Sequence, residues 1–170
     1  MTRPGYAIAA LLALVATTGP ALVRPRARLI WNVTASVPIG LYFSRPSGKL
    51  QIGELVVVSP PHTLAQYLES RQYLPEGVPM LKHILALPGQ TVCRKGRVIS
   101  VDGRAMGTAI DRDSQDRPLP VWQGCESIPT DDVFLMNRKS ADSFDGRYFG
   151  LLPSATIVGR AEPVWTRQDH

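Results

Sequence analysis

The chain has 170 residues, of which 44% are hydrophobic and 19% charged, so it is long enough for one domain plus an anchor and too apolar to be disordered. Its fifteen prolines and fourteen glycines favour short β-strands over a helical bundle. The net charge is +5, but no basic run with interleaved aromatic residues is present, so a nucleic-acid partner is not expected.

The N-terminal segment predicts a membrane anchor. Residues 4–23 carry no charged side chain, and about 20 apolar residues are enough to cross a bilayer as a helix. We therefore predict an anchor over residues 1–26 and a domain over residues 27–170. A cleaved signal peptide with a small-residue site at residues 19–21 is the alternative. The arginines at 24, 26 and 28 favour lipid headgroups as partners. Taken literally, the positive-inside rule would use them to place the domain in the cytoplasm, so the orientation is argued from chemistry instead.

A serine follows the first predicted strand, residues 28–31. Ser36 lies just before a Pro-x-Gly turn, in which Pro38 fixes its own φ and restricts Val37 to extended conformations. Gly40 permits a sharp bend into the next predicted strand, residues 40–44. A serine in this position is usually part of a turn, and the alternative is a nucleophile held rigidly at a strand end.

The next stretches predict a β-rich body with one short helix. The valine-rich run 54–58 is typical of a strand buried on both faces. Residues 63–73 have helical spacing, with Thr63 as a possible N-cap. The polar stretch 104–119 is interpreted as an exposed loop, since its acidic residues do not have the spacing of an EF-hand. Further strands are predicted at residues 80–87, 91–94, 97–101, 132–136 and 155–164.

Lys82 stands in the middle of the apolar run 80–87. With a two-residue period, it shares a face with Met80, Ile84 and Ala86. On an edge strand it would extend its amine to solvent. If it is buried, desolvation lowers its pKa, and the neutral amine becomes a usable base near neutral pH. The neighbouring His83 is expected to serve packing or the surface.

Asp145 and Arg147 lie two residues apart in the stretch Ser143-Phe144-Asp145-Gly146-Arg147-Tyr148-Phe149-Gly150. Their spacing fits a structural ion pair as well as a catalytic aspartate. The cysteines Cys93 and Cys125 are too few for a zinc site, because the three histidines do not lie at ligand spacing. Whether the two cysteines form a disulfide is left open by the sequence.

Three stretches in order carry a resemblance to a known family. They are Ser36-Val37-Pro38-Ile39-Gly40-Leu41-Tyr42, Lys82 before Leu87-Pro88-Gly89, and Ser143-x-Asp145-x-Arg147-Tyr148-Phe149-Gly150. With the N-terminal span, they resemble the type I signal peptidase clan of serine–lysine proteases. The first and third stretches look like its conjugative-transfer branch, the TraF type, whose members act on a pilin precursor.

The resemblance implies a mainly β fold, a signal-peptidase-like antiparallel β domain with a short helix, preceded by one N-terminal transmembrane helix. It implies a role for each matching residue: Ser36 as nucleophile, Lys82 as general base, Asp145 as a residue assisting the pair, Thr34 beside the oxyanion with the Ser36 N–H, Ser143 orienting the lysine, and Arg147 as partner of Asp145. The family's usual Gly-Asp-Asn-Arg is replaced here by Leu135-Met136-Asn137-Arg138. Asn137 and Arg138 are therefore assigned only to shaping the loop.

The implied function is a serine endopeptidase of the inner membrane, single-pass, with its catalytic domain in the periplasm. It would process a pilin precursor and cyclise it by aminolysis of an acyl-enzyme. No cofactor or metal is implied, and the expected partners are the pilin precursor, membrane lipid and other conjugative transfer proteins. The alternatives are a general leader peptidase for secretory precursors and a non-enzymatic scaffold of the transfer apparatus. A self-cleaving repressor is disfavoured because no DNA-binding helix-turn-helix precedes the body.

Overall fold

A computed structural model describes residues 5, 8, 11–14 and 29–167. The predicted anchor, residues 1–26, and its border with the domain lie mostly outside the described residues. Within the described residues, no helix has both the length and the apolar character needed to cross a membrane.

The described chain from residue 29 onward is built mainly from short strands. They are β1 Leu29–Asn32, β2 Gly40–Arg45, β3 Leu55–Val58, β4 Met80–Ala86, β5 Thr91–Lys95, β6 Val98–Val101, β7 Arg104–Thr108, β8 Gly124–Ser127, β9 Asp132–Leu135, β10 Leu151–Pro153 and β11 Ile157–Thr166. Two short α-helices, α1 His62–Ser70 and α2 Gly146–Phe149, and a 3-10 turn at Ser154–Thr156 complete the elements from residue 29 onward.

The strands form two antiparallel sheets. The larger has the order β1-β2-β11-β3-β4-β9-β10 and the smaller the order β7-β6-β5-β8. The prediction of a mainly antiparallel β domain with a short helix is confirmed. Since β4 lies between β3 and β9, the alternative of an edge strand for Lys82 is wrong.

The valine run of β3 is buried on both faces, as its composition predicted. Val56 and Val58 are fully buried in one apolar cluster with Ile84 of β4. Val57 belongs to a second cluster, which includes Leu81. Burial of both faces excludes water from the centre of the large sheet, where β4 carries Lys82.

Two details of the sequence interpretation are wrong. Residues 104–108 are not loop but strand β7, which pairs with β6 through its backbone although its side chains are mostly exposed. Helix α1 begins at His62 and has Pro61 at its N-cap position, so Thr63 is not the cap. It ends at Ser70, and the positive φ of Gln72 turns the chain away soon afterwards.

Candidate active site

Ser36 lies in the loop between β1 and β2. The ends of these strands, Asn32 and Gly40, are opposite one another, so the loop starts and finishes at neighbouring points. Gly40 lets β11 approach closely, because a Cβ at this position would collide with the Trp165 carbonyl oxygen. Gly40, which was predicted to permit a bend, therefore also allows β11 to pack against the end of the Ser36 loop.

Asn32 holds this loop from within. The buried side chain donates from Nδ2 to the carbonyl oxygens of Thr34, Val37 and Pro38 at 2.8, 3.1 and 3.1 Å. The Pro38 carbonyl also accepts a 2.6 Å hydrogen bond from the Tyr42 hydroxyl. Sequence reasoning missed Asn32, although an asparagine that ends an apolar strand before a turn is a recognisable signal for side-chain-to-backbone bonding.

Thr34 is the nearest hydroxyl neighbour of Ser36. Its Oγ1 donates to Asn32 Oδ1 at 2.9 Å and lies 3.1 Å from Ser36 Oγ. A hydroxyl has one hydrogen, so in this arrangement Ser36 donates to Thr34. An oxyanion-binding role for Thr34 requires its hydroxyl to rotate away from Asn32.

Lys82 is buried in β4, with 5% of its surface exposed. Its Nζ donates a 2.8 Å hydrogen bond to Ser143 Oγ. Burial lowers the pKa of Lys82 to about 8; the Asp145 carboxylate opposes this effect and the Arg147 guanidinium adds to it. A substantial fraction of the amine is therefore neutral at pH 8.

Asp145 and Arg147 form a buried ion pair behind Lys82. Arg147 donates from Nε to Asp145 Oδ1 at 2.9 Å and from Nη2 to Oδ2 at 3.0 Å. The same guanidinium binds the carbonyl oxygens of Ser140 and Ser143. Gly146 between the two is required by close packing, since a Cβ there would lie 2.7 Å from the Leu135 carbonyl oxygen. Arg147 thus anchors the segment that carries Ser143.

Asn137 connects this ion pair to both neighbours of Lys82. Its backbone N–H donates to Asp145 Oδ2 at 3.0 Å, and its Nδ2 donates to the Leu81 carbonyl at 3.1 Å. Its Oδ1 accepts from the His83 backbone at 3.0 Å and lies 2.9 Å from His83 Nδ1. The residue assigned to loop shaping therefore also fixes the backbone on either side of Lys82.

A cavity of about 430 Å³ collects four of the predicted site residues. Thr34, Ser36, Lys82 and Ser143 line it, whereas Asp145 and Arg147 are not among its described lining. A hydroxyl and an amine of lowered pKa in one cavity are suited to nucleophilic chemistry with proton transfer. In the described part of the chain, no group of three or more His, Cys, Asp or Glu side chains is arranged to hold a metal ion.

The two cysteines form a disulfide at a distance from this cavity. Cys93 of β5 lies directly opposite Cys125 of β8, and their sulfur atoms are bonded across the small sheet. The question that the sequence left open is settled by this register.

Comparison with known proteins identifies the family. A family model described as signal peptidase, peptidase S26, matches residues 1–166. The chain belongs to this family of peptidases, and the predicted resemblance is confirmed.

Within the family, the chain is similar to conjugal transfer proteins named TraF. A probable conjugal transfer protein TraF of Sinorhizobium fredii is 38% identical over 148 residues, which cover 79% of this chain and 76% of that protein. The conjugal transfer protein TraF of Agrobacterium fabrum is 38% identical over 149 residues, covering 79% and 81%. Among solved structures, a signal peptidase I from Enterococcus faecalis matches with a TM-score of 0.41 and 18% identity, over 66% of this chain and 97% of that one.

Proposed function

We propose that the protein is a membrane-anchored serine peptidase in which Ser36 is the nucleophile and Lys82 the general base. The observation that carries the proposal is the buried Lys82 amine of lowered pKa, lining the same cavity as the Ser36 hydroxyl. Serine hydroxyls are weak nucleophiles until a base removes their proton, and a neutral lysine can do this without a histidine.

The first half of the reaction forms an acyl-enzyme. Lys82 Nζ takes the Ser36 proton while Oγ attacks the scissile carbonyl, and the resulting oxyanion is bound by the Ser36 N–H and the rotated Thr34 hydroxyl. The C–N bond then breaks, and Lys82 returns the proton to the leaving nitrogen. In this scheme Ser143 orients the lysine, while the Asp145–Arg147 ion pair determines the electrostatic environment of its amine.

The second half releases the acyl group. Attack by water gives a linear product, whereas attack by an amine gives a new peptide bond and returns Ser36 to its hydroxyl form. The similarity to TraF conjugal transfer proteins supports a role in a conjugative system. The substrate proposed from the family resemblance is its pilin precursor, with its own N-terminal amine closing the chain into a circle. That outcome needs a site that favours the amine over water.

Two features support action at a membrane in the periplasm. The Cys93–Cys125 disulfide is compatible with an oxidising compartment. Trp31 and Trp165, beside the Ser36 loop, are stacked with ring centroids 5.9 Å apart and are more than half exposed. Exposed tryptophans are characteristic of membrane interfaces, so this pair supports contact with lipid close to the site.

The test is to incubate the full chain in detergent with the pilin precursor of its own transfer system and to measure the mass of the product by mass spectrometry. We expect a processed pilin lighter than the linear form by one water, and no product with Ser36→Ala or Lys82→Ala. Ser47→Ala and Lys49→Ala, at exposed positions, are the matched controls.

Each part of the proposal has a contrary result. Processing by a folded Ser36→Ala or Lys82→Ala variant would overturn the catalytic pair and favour a scaffold. A linear product would remove cyclisation, and equal processing of unrelated secretory precursors would indicate a general leader peptidase.

A further inference from the structure

A second cavity, of about 840 Å³, meets the first at Ser36. Of the described residues, Ser36 alone lines both cavities. The division follows the chain: the loop before Ser36 and β4 up to Lys82 line the smaller cavity, whereas Val37 and β4 from His83 onward line the larger one. The two cavities therefore lie on opposite sides of the Ser36–Lys82 position.

A peptide substrate that is cleaved by Ser36 must occupy the space on both sides of this serine. One side holds the acyl segment that stays bonded to the serine, and the other holds the segment that leaves. The smaller cavity has many apolar side chains in its lining, with Lys82, Asp113 and Asp142 as its charged residues, and an apolar lining suits residues that must stay bound through both halves of the reaction. The larger one offers the room that departure of a segment and entry of water or an amine require.

The larger cavity is basic at its rim. Its described lining includes Arg138 and Lys139, both exposed, and no aspartate or glutamate. Arg138 Nε donates to the Met106 carbonyl at 3.0 Å, and neither Arg138 nor Lys139 forms an ion pair with a described residue. Two positive charges at this rim are thus available to a ligand.

Resting on the proposed function, we propose that this larger cavity is the binding site for the leaving segment of the substrate, and that Arg138 and Lys139 select a carboxylate in it. The carboxylate is either an acidic side chain shortly after the scissile bond or the free C-terminus of a short leaving segment. Both present the same charge, and the rim lies beside the serine from which the segment departs.

The experiment uses a library of randomised decapeptides and the full chain in detergent, with cleavage sites and residue preferences read by mass spectrometry. One arm has amidated C-termini and the other free C-termini, which separates a side-chain carboxylate from a terminal one. We expect Asp or Glu after the scissile bond, or a free C-terminus close to it, to raise the cleavage rate about two- to five-fold, as for an exposed ion pair. The preference should weaken as salt is added.

The charge-reversed variant Arg138→Glu with Lys139→Glu should prefer Lys or Arg after the scissile bond. Lys139→Glu alone, which keeps the Arg138 bond to Met106, should weaken the acidic preference and guards against a folding defect. Lys49→Glu with Lys95→Glu changes the net charge equally at exposed sites outside both cavities and should keep the wild-type preference.

The failures are distinguishable. Cleavage with no charge preference after the bond, with a preference before the bond instead, or with an acidic preference unchanged in the reversed variant overturns this inference and leaves the peptidase standing. Absence of Ser36-dependent cleavage of both the library and the pilin precursor overturns the proposed function and this inference with it.

Discussion

Lys82 Nζ and Ser143 Oγ are joined by a 2.8 Å hydrogen bond between residues 61 positions apart in the chain. The bond is buried, and the Ser143 segment is itself held by Arg147. The amine is therefore directed by a neighbour of fixed position, which a long and flexible lysine side chain needs if it is to act as a base in one orientation.

Replacement of this hydroxyl tests the orienting role. We expect Ser143→Ala to lower kcat by up to about 10²-fold with little change in KM, because the amine loses its fixed partner while the cavity keeps its shape. Steady-state peptide cleavage measures both constants, and Ser100→Ala in the small sheet is the control. A variant with wild-type kcat would show that Lys82 is oriented without Ser143.

The pH dependence of cleavage follows from the Lys82 pKa of about 8. The protonated amine cannot accept the serine proton, so the rate should rise with pH through about 8 and level off above it. Initial rates between about pH 6 and pH 10 measure the inflection. A rate that is constant across this range would argue against Lys82 as the base.

Lys82 also makes stability depend on pH. Its folded-state pKa is lowered from 10.5 to about 8, so the unfolded chain binds more protons between these two values. The free energy of unfolding should therefore contain a Lys82 contribution that rises with pH across this window and is absent in Lys82→Met. Denaturant unfolding of the two proteins at several pH values measures the difference, and parallel curves would contradict the burial of the amine.

Two substitutions of Thr34 distinguish a structural role from an oxyanion-binding role. Thr34→Val keeps the shape but removes the hydroxyl, and we expect kcat to fall about 10²-fold, as when one oxyanion donor is lost. Thr34→Ser keeps the hydroxyl and should retain most activity. If the two variants are equally active, the oxyanion is bound without the Thr34 side chain.

The sequence predicted most of the strands because their apolar runs are distinct, and it predicted the sheet class for the same reason. It did not predict β7, β8, β10 or α2, since the side chains of β7 and β8 are mostly exposed and these strands are held by backbone pairing, while β10 and α2 are only three and four residues long. The site residues came from short stretches that resemble a family. The position of Lys82 between β3 and β9, and the bonds of Asn137 to Leu81 and His83, depend on contacts between distant segments, which local patterns do not encode.

Substitution of Asn32 tests the conformation of the Ser36 loop separately from the chemistry, because Asn32 contacts Thr34 and the loop backbone and has no proposed part in proton transfer. Asn32→Ala removes the side-chain donor to three carbonyl oxygens, of which that of Pro38 keeps the Tyr42 hydroxyl, and we expect the free energy of unfolding to fall by about 1–3 kcal/mol. Because it adds no charge, Asn32→Ala should lower kcat while the inflection of the pH profile stays at the Lys82 value. Asn32→Asp keeps the Oδ1 acceptor for Thr34 but adds a carboxylate to the cavity that Lys82 lines, which should move the inflection to higher pH. Thermal unfolding and pH–rate profiles of both variants measure these effects. Wild-type kcat in Asn32→Ala would mean that the Ser36 loop keeps its conformation without this side chain, through Gly40 and the Tyr42 bond to Pro38 alone.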